Sequence, residues 1–172
     1  PKFSQDQSMM FPSYRLTNLF AGLGCGLIIA IAVFYFQNHL GLEPCYLCMT
    51  QRVFVIAVGL IFMVAAVHNP TARGRSIYSL LVIISSLGGA FFSVKQLWLQ
   101  SLPEDQVPAC GPPVEYLFDA FSASEAISML LRGDGNCAEV QWQLIGLSMP
   151  AWVLVTFTLL TGLVLLQLLR RA

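Results

Sequence analysis

Charge is scarce in this sequence. Lys, Arg, Asp and Glu together supply 10% of its 172 residues, against roughly a quarter in ordinary soluble domains, so a water-facing surface cannot be built from it. Histidine is scarcer still: only His39 and His68 occur, and neither supplies the cysteines with a zinc-binding partner at ligand spacing. A second Cys-x-x-Cys is missing, as is the soluble βαβ unit that a thioredoxin-like use of the first one would need. No nucleic-acid partner is expected. What the chain has in abundance is apolar side chain, at 56% of its residues.

The apolar residues fall into four stretches, about 16–40, 46–67, 76–99 and 148–169, each long enough to cross roughly 30 Å of hydrocarbon at about 1.5 Å per helical residue. They predict an all-α membrane protein: a single integral domain of four spanning helices, with a long loop over about 100–147. Ala30-Ile31-Ala32 mimics a signal-peptide cleavage site, but the apolar run continues through Val33 to Phe36 for a full membrane width, so the first stretch is read as a retained span.

Zero net charge conceals an asymmetry. Lys2, Arg15, Arg73, Arg75, Arg170 and Arg171 lie before the first span, between the second and third, and after the fourth, which puts those segments and both termini on the cytoplasmic side. The opposite side carries Glu43 in a short loop and Glu104, Asp105, Glu115, Asp119, Glu125, Asp134 and Glu139 in the long one, with Arg132 as that loop's only basic residue.

Four of the five cysteines map to this acidic outer side, where an oxidising compartment permits disulfides. Cys45 and Cys48 open the second span, while Cys110 and Cys137 lie in the long loop with 26 residues between them. Cys25, inside the first span, is read as a packing residue. The outer cysteines leave structural staples, zinc ligation or a redox relay open. Structural zinc sites usually pair one Cys-x-x-Cys with another, which is absent here. A bridge between Cys110 and Cys137 would remove about 3–4 kcal/mol of chain entropy in the simplest account, a sufficient structural reason for it. A bridge between Cys45 and Cys48 closes too small a loop for that, and redox chemistry is the better reason.

The neighbourhood of that pair favours negative sulfur. Pro44 suits a first helical turn, so both thiols sit near a helix N-terminus whose free amides favour a thiolate. Arg52, four residues beyond Cys48, shares its face one turn deeper and supplies a permanent cation, although it could also snorkel to headgroups. Lys95, near the outer end of the third span, is read as snorkelling. Trp98, Trp142, Trp152 and Tyr46 are read as an aromatic interface belt.

In the long loop, Leu117, Phe118, Phe121, Ile127, Leu130 and Leu131 recur at helical spacing, and Ser122-Ala123-Ser124-Glu125 fits a capping box. Short amphipathic helices on the membrane surface are expected. Gly133-Asp134-Gly135-Asn136 reads as a flexible turn before Cys137, able to move the Cys110 and Cys137 pair relative to Cys45 and Cys48.

Taken together, Pro44-Cys45-Tyr46-Leu47-Cys48 with Arg52, Pro108-Ala109-Cys110-Gly111-Pro112, Asn136-Cys137-Ala138-Glu139-Val140-Gln141-Trp142 and Gly146-Leu147-Ser148-Met149-Pro150-Ala151-Trp152 resemble the DsbB family of bacterial inner-membrane disulfide-forming proteins. The resemblance runs from the first span through the fourth. It implies a protein-dithiol:quinone oxidoreductase that reoxidises a DsbA-like periplasmic thioredoxin-fold partner and passes the electrons to ubiquinone or menaquinone. By the same resemblance Cys110 would receive the partner's thiolate, Cys137 would be its original bridge partner and would then attack Cys45, and Cys48 with Arg52 would contact the quinone. The family's histidine near the outer end of the third span is absent here, where the chain reads Lys95-Gln96-Leu97-Trp98-Leu99-Gln100; Lys95 and Gln100 are the available polar substitutes. Two other readings fit the chain less well: a vitamin K epoxide reductase type of four-helix reductase, which the loop sequence disfavours, and a tetraspanin-like scaffold, which gives Cys45, Cys48 and Arg52 no reason to share a helix end.

Overall fold

A computed structural model describes residues 13–170; Lys2 and Arg171, which enter the charge asymmetry, lie outside the described residues. Helix α1 runs Tyr14–Ala30, capped by Ser13, whose hydroxyl accepts from the Leu16 amide. The chain continues without a break as a π-helix over Ile31–His39. Helix α2 covers Tyr46–His68 and ends on Asn69, whose φ of 42° is the left-handed conformation that asparagine tolerates at a helix end. Helix α3 covers Ala72–Gln100 and helix α6 Met149–Leu169, with Pro150 in its opening turn, where a missing amide hydrogen costs nothing.

Four helical segments, Tyr14–His39, Tyr46–His68, Ala72–Gln100 and Met149–Leu169, are long and apolar enough to cross a membrane. The architecture is the expected all-α, four-helix membrane protein. The third helix starts before the apolar stretch that announced it, because backbone hydrogen bonding continues through Arg73 and Arg75 into polar surroundings. Helix α1 packs on α2, α2 on α3 and α3 on α6. Lipid tails are as apolar as the side chains, so close backbone approach does much of the joining, and small residues permit it. Cys25 seats against Gly59, and the Phe157 ring occupies the space that a side chain at Gly89 would need. Cys25 is buried with Val55, Val58, Phe62, Val82, Phe157 and Val164, in agreement with its packing reading.

A second core covers the cysteine end of the bundle. Helix α4, Val114–Ala120, and helix α5, Ala123–Arg132, bring Leu117 and Ala126 onto Tyr46, Leu47, Leu99, Cys45 and Cys137. The anticipated capping box is present: Ser122 accepts from the Glu125 amide, and the Glu125 carboxylate accepts from the Ser122 amide. The loop is therefore a packed lid over the helix ends as well as an amphipathic surface. After a 3₁₀ turn at Gly135–Ala138, a short hairpin pairs β1, Gln143–Leu144, with β2, Leu147–Ser148. Its turn takes positive φ at Ile145 and Gly146, as tight two-residue hairpins favour. This hairpin has no sequence-level counterpart above, since its strands are only two residues each.

Candidate active site

The site begins with the helix start. Cys45, in extended conformation with ψ of 170°, is the N-cap of α2, and its sulfur accepts from the Cys48 amide at 3.3 Å. Pro44 thus precedes the cap and does not enter the first turn. The geometry brings the Cys45 and Cys48 sulfurs to 2.7 Å of each other. Their environments differ. The Cys45 thiol is pushed up by hydrogen bonding to Cys137, then by Cys48 and by burial, which reverses the expectation that the helix N-terminus would favour its thiolate. One capping amide donates to this sulfur, but the two neighbouring sulfurs compete with it for negative charge and burial penalises the anion, and these outweigh the amide.

Cys137 is fully buried against this pair, its sulfur also meeting the Leu47 amide at 3.5 Å. Cys110 is exposed. The segments carrying them are tied together: the Gly135 amide donates to Ala109 O at 3.3 Å, and the Gly111 amide donates to the Asp134 carboxylate at 2.9 Å. Asp134 is buried and also accepts from Asn136 Nδ2 at 2.8 Å and from the Cys137 thiol at 3.3 Å. The stretch read as a flexible turn is thus an organised junction. Tyr46 adds a second tie, its hydroxyl donating to Pro112 O at 2.6 Å, and is buried where a membrane belt was expected.

On the other side of Cys48 lies an apolar cavity of about 380 Å³ between α1 with its π-helical extension, α2 and α6. Cys48 and Arg52 reach its wall together with Phe36, Pro44, Trp142 and Trp152. Trp142 and Trp152 therefore belong to the cavity, and the belt reading suits only Trp98, which is exposed. The hairpin helps to fix this wall, since Trp152 Nε1 donates to Leu144 O at 3.2 Å and Trp142 packs edge-on against Phe36. Arg52 does not snorkel away. Its Nη1 donates to Gln37 Oε1 at 2.8 Å and its Nη2 to Ala32 O at 3.2 Å, both from the π-helix, which holds the fork beside the cavity. Such π-helical segments are rare and gather at functional sites.

The polar residues weighed on α3 lie elsewhere. Lys95 donates to Leu131 O at 2.9 Å, closing the end of α5, and Gln100 accepts from the Ser148 hydroxyl at 2.8 Å. Between them in sequence, Gln96 meets the sulfurs: its Nε2 stands 3.3 Å from both Cys45 Sγ and Cys48 Sγ. Gln51 Nε2 donates to Gln96 Oε1 at 2.7 Å. Sequence reasoning passed over both glutamines. The available signal was spacing: Gln51 follows Cys48 by three residues on one helical face, and a glutamine in a span demands a partner.

The residues flagged in the sequence thus converge, three cysteines and Arg52 around the opening turns of α2 and Cys110 on the exposed segment above. Comparison with known proteins shows the family. The family described as Disulfide bond formation protein DsbB matches residues 14–167. The chain is 52% identical over 162 residues to Disulfide bond formation protein B of Saccharophagus degradans, covering 94% of this chain and 96% of that one. It is 54% identical over 124 residues to the Hahella chejuensis protein of that name, covering 72% and 75%, and 42% identical over 164 residues to Disulfide bond formation protein B 1 of Pseudomonas aeruginosa, covering 95% and 100%. With four membrane-spanning helices and a match that runs through all of them, the chain belongs to the DsbB family.

Proposed function

We propose that the protein is a membrane thiol oxidase that reoxidises a DsbA-like periplasmic dithiol and delivers the electrons to a membrane quinone. It acts as one integral domain of the bacterial inner membrane, with both termini cytoplasmic and Cys45, Cys48, Cys110 and Cys137 on the periplasmic side. The observation that carries this reading is the placement of Cys48 and Arg52 in the wall of one apolar cavity with Cys137 against Cys45. A volume of about 380 Å³ lies in the range of pockets that take small ligands, and its apolar lining with one guanidinium suits a ring bearing carbonyl oxygens. A bound quinone supplies a sink for two electrons and two protons.

The partner's thiolate attacks Cys110 in a Cys110–Cys137 bridge, forming a mixed disulfide and releasing Cys137 as a thiolate. Cys137 attacks Cys45, forming a Cys45–Cys137 bridge and releasing the Cys48 thiolate beside Arg52. The partner's second thiolate displaces Cys110 and leaves the partner oxidised. Cys110 then recovers Cys137 and frees Cys45. Finally Cys45 and Cys48 close their bridge again, giving up two electrons to the sink, which also takes up two protons equivalent to those the partner's thiols released. Arg52 stabilises negative charge on Cys48 and on a ligand oxygen, a role for which a planar fork held by two acceptors is well suited. DsbA is a strong oxidant near −120 mV, and at about 1.4 kcal/mol per 30 mV only an acceptor of higher potential draws electrons from it.

Purified protein with reduced DsbA and decylubiquinone, followed by quinone absorbance, tests the reading; a menaquinone analogue run alongside distinguishes the two acceptors. Thiol-dependent reduction is expected, and is lost in Cys48→Ala. No reduction of either quinone by the intact protein overturns the proposal.

A further inference from the structure

Two buried polar side chains beside the sulfurs take no part in the steps above. Gln96 and Gln51 are 3% and 4% exposed, on facing turns of α3 and α2. Burying an amide without partners costs about 1–3 kcal/mol, so each should account for its hydrogen-bonding groups. Their bonds form a directed chain. Gln51 Nε2 faces Phe92 O at 3.5 Å, an acceptor that cannot donate, which fixes that end of Gln51 as its NH₂ group. The same nitrogen donates to Gln96 Oε1 at 2.7 Å, which fixes the carbonyl of Gln96 and leaves its NH₂ end toward the sulfurs. Gln96 Nε2 then stands 3.3 Å from Cys45 Sγ and 3.3 Å from Cys48 Sγ, within sulfur hydrogen-bond range of both.

The geometry points to Gln96 as a catalytic residue of the Cys45–Cys48 centre, an N–H donor that stabilises the developing thiolate, with Gln51 as the positioning residue that keeps its amide facing the sulfurs. This rests on the reading of Cys45 and Cys48 as the redox pair. In the closed bridge neither sulfur is charged and the donor gains little. When the bridge opens, the sulfur that leaves becomes an anion, and a preorganised donor is then worth far more. The effect favours the reduced pair and so raises its potential, which helps Cys137 to open it. Space-filling would also bury a glutamine here, but gives no reason for a chain of amides oriented by a backbone carbonyl.

The test uses the full-length protein carrying Cys110→Ala and Cys137→Ala, so that only the Cys45–Cys48 pair titrates, with Gln96→Met and Gln51→Met added in turn. Methionine keeps approximate volume and removes the donor. Equilibration against a thiol–disulfide buffer reads the potential, and iodoacetamide alkylation of the reduced pair at fixed pH reads thiolate reactivity. Loss of one bond to a charged group, about 1.5–3 kcal/mol, predicts a fall of at least tenfold in the reduction equilibrium constant for Gln96→Met, or about 30 mV toward more negative potential. Alkylation slows by a similar factor. Gln51→Met shifts both readouts the same way but less, and stands as the second variant should Gln96→Met fail to fold. A potential and alkylation rate unchanged in either folded variant overturns the assignment. The wild-type assay with reduced DsbA and decylubiquinone separates the two questions: activity there with unmoved potentials sinks only the glutamine role, whereas no activity sinks the oxidase reading itself.

Discussion

The Cys45–Cys48 pair has two unlike walls. On one side Arg52 is half-buried, permanently charged, and stands beside about 380 Å³ of apolar space. On the other Gln96 is neutral, almost fully buried, and borders only about 20 Å³, while its partner Gln51, equally buried and neutral, reaches from it to the edge of the larger cavity. The division follows the cost of burying charge. A cation in the closed wall would forfeit several kcal/mol of hydration with nothing to repay it, while hydrogen-bonded amides can be buried there at little cost. Beside the cavity the cation keeps neutral acceptors in Gln37 and Ala32 and remains available to an anionic or carbonyl ligand. Charge borders the open cavity, and the Gln96 amide stands where the protein closes on itself.

Removing the shared centre gives the largest effect. Cys48→Ala reduces quinone reduction to the uncatalysed background, whereas Cys137→Ala leaves the pair able to react with small dithiols and abolishes transfer only from the protein partner; turnover with dithiothreitol against turnover with reduced DsbA reads the difference. Equal loss with both donors would show that Cys137 also holds the centre together. Breaking the cavity wall comes next. Arg52→Met removes a charge-assisted contact worth about 1.5–3 kcal/mol, so the quinone concentration for half-maximal rate rises about 10- to 100-fold. Arg52→Lys recovers only part of that, because one ammonium cannot reproduce a fork directed at both Gln37 and Ala32. Full recovery by lysine would reduce the arginine to a point charge.

Asp134 sharpens the comparison from above, where the loop meets the closed wall. Asp134→Ala leaves the Gly111 amide and Asn136 Nδ2 without their acceptor, costing about 1–3 kcal/mol of loop anchoring. Cys137, now 0% exposed, should gain reactivity toward a membrane-impermeant maleimide. Unchanged labelling would mean that Tyr46 and the helix packing suffice to hold the loop.

Composition made the spans legible, because a membrane-crossing helix must be apolar throughout, and the capping box at Ser122 and Glu125 was legible because it is local. Cys45, Cys48, Cys110, Cys137 and Arg52 stood out as residues that are rare or costly in such surroundings. What stayed hidden depends on pairing between distant segments. Asp134 looked like a turn residue until its acceptors met Gly111, and Gln96 looked unremarkable beside Lys95 until α3 was set against α2. Trp142 and Trp152 were misread for a related reason: an aromatic at a span end serves an interface belt or a cavity wall alike, and only the neighbouring helix decides.

Lys95 and Gln96 make the smallest and sharpest contrast. They are adjacent on α3, so helical rotation of about 100° turns one toward the loop and the other toward the sulfurs. Lys95 closes the last turn of α5 through Leu131 O, a part-exposed contact of the kind that supports a helix end by a few tenths to one kcal/mol. Lys95→Met should therefore leave the Cys45–Cys48 potential unmoved and lower the melting temperature by no more than a few degrees. Gln96→Met should do the reverse, moving the potential by about 30 mV or more. If both substitutions moved the potential alike, the effect would belong to the end of α3 as a whole, and the hydrogen bond to sulfur would lose its claim.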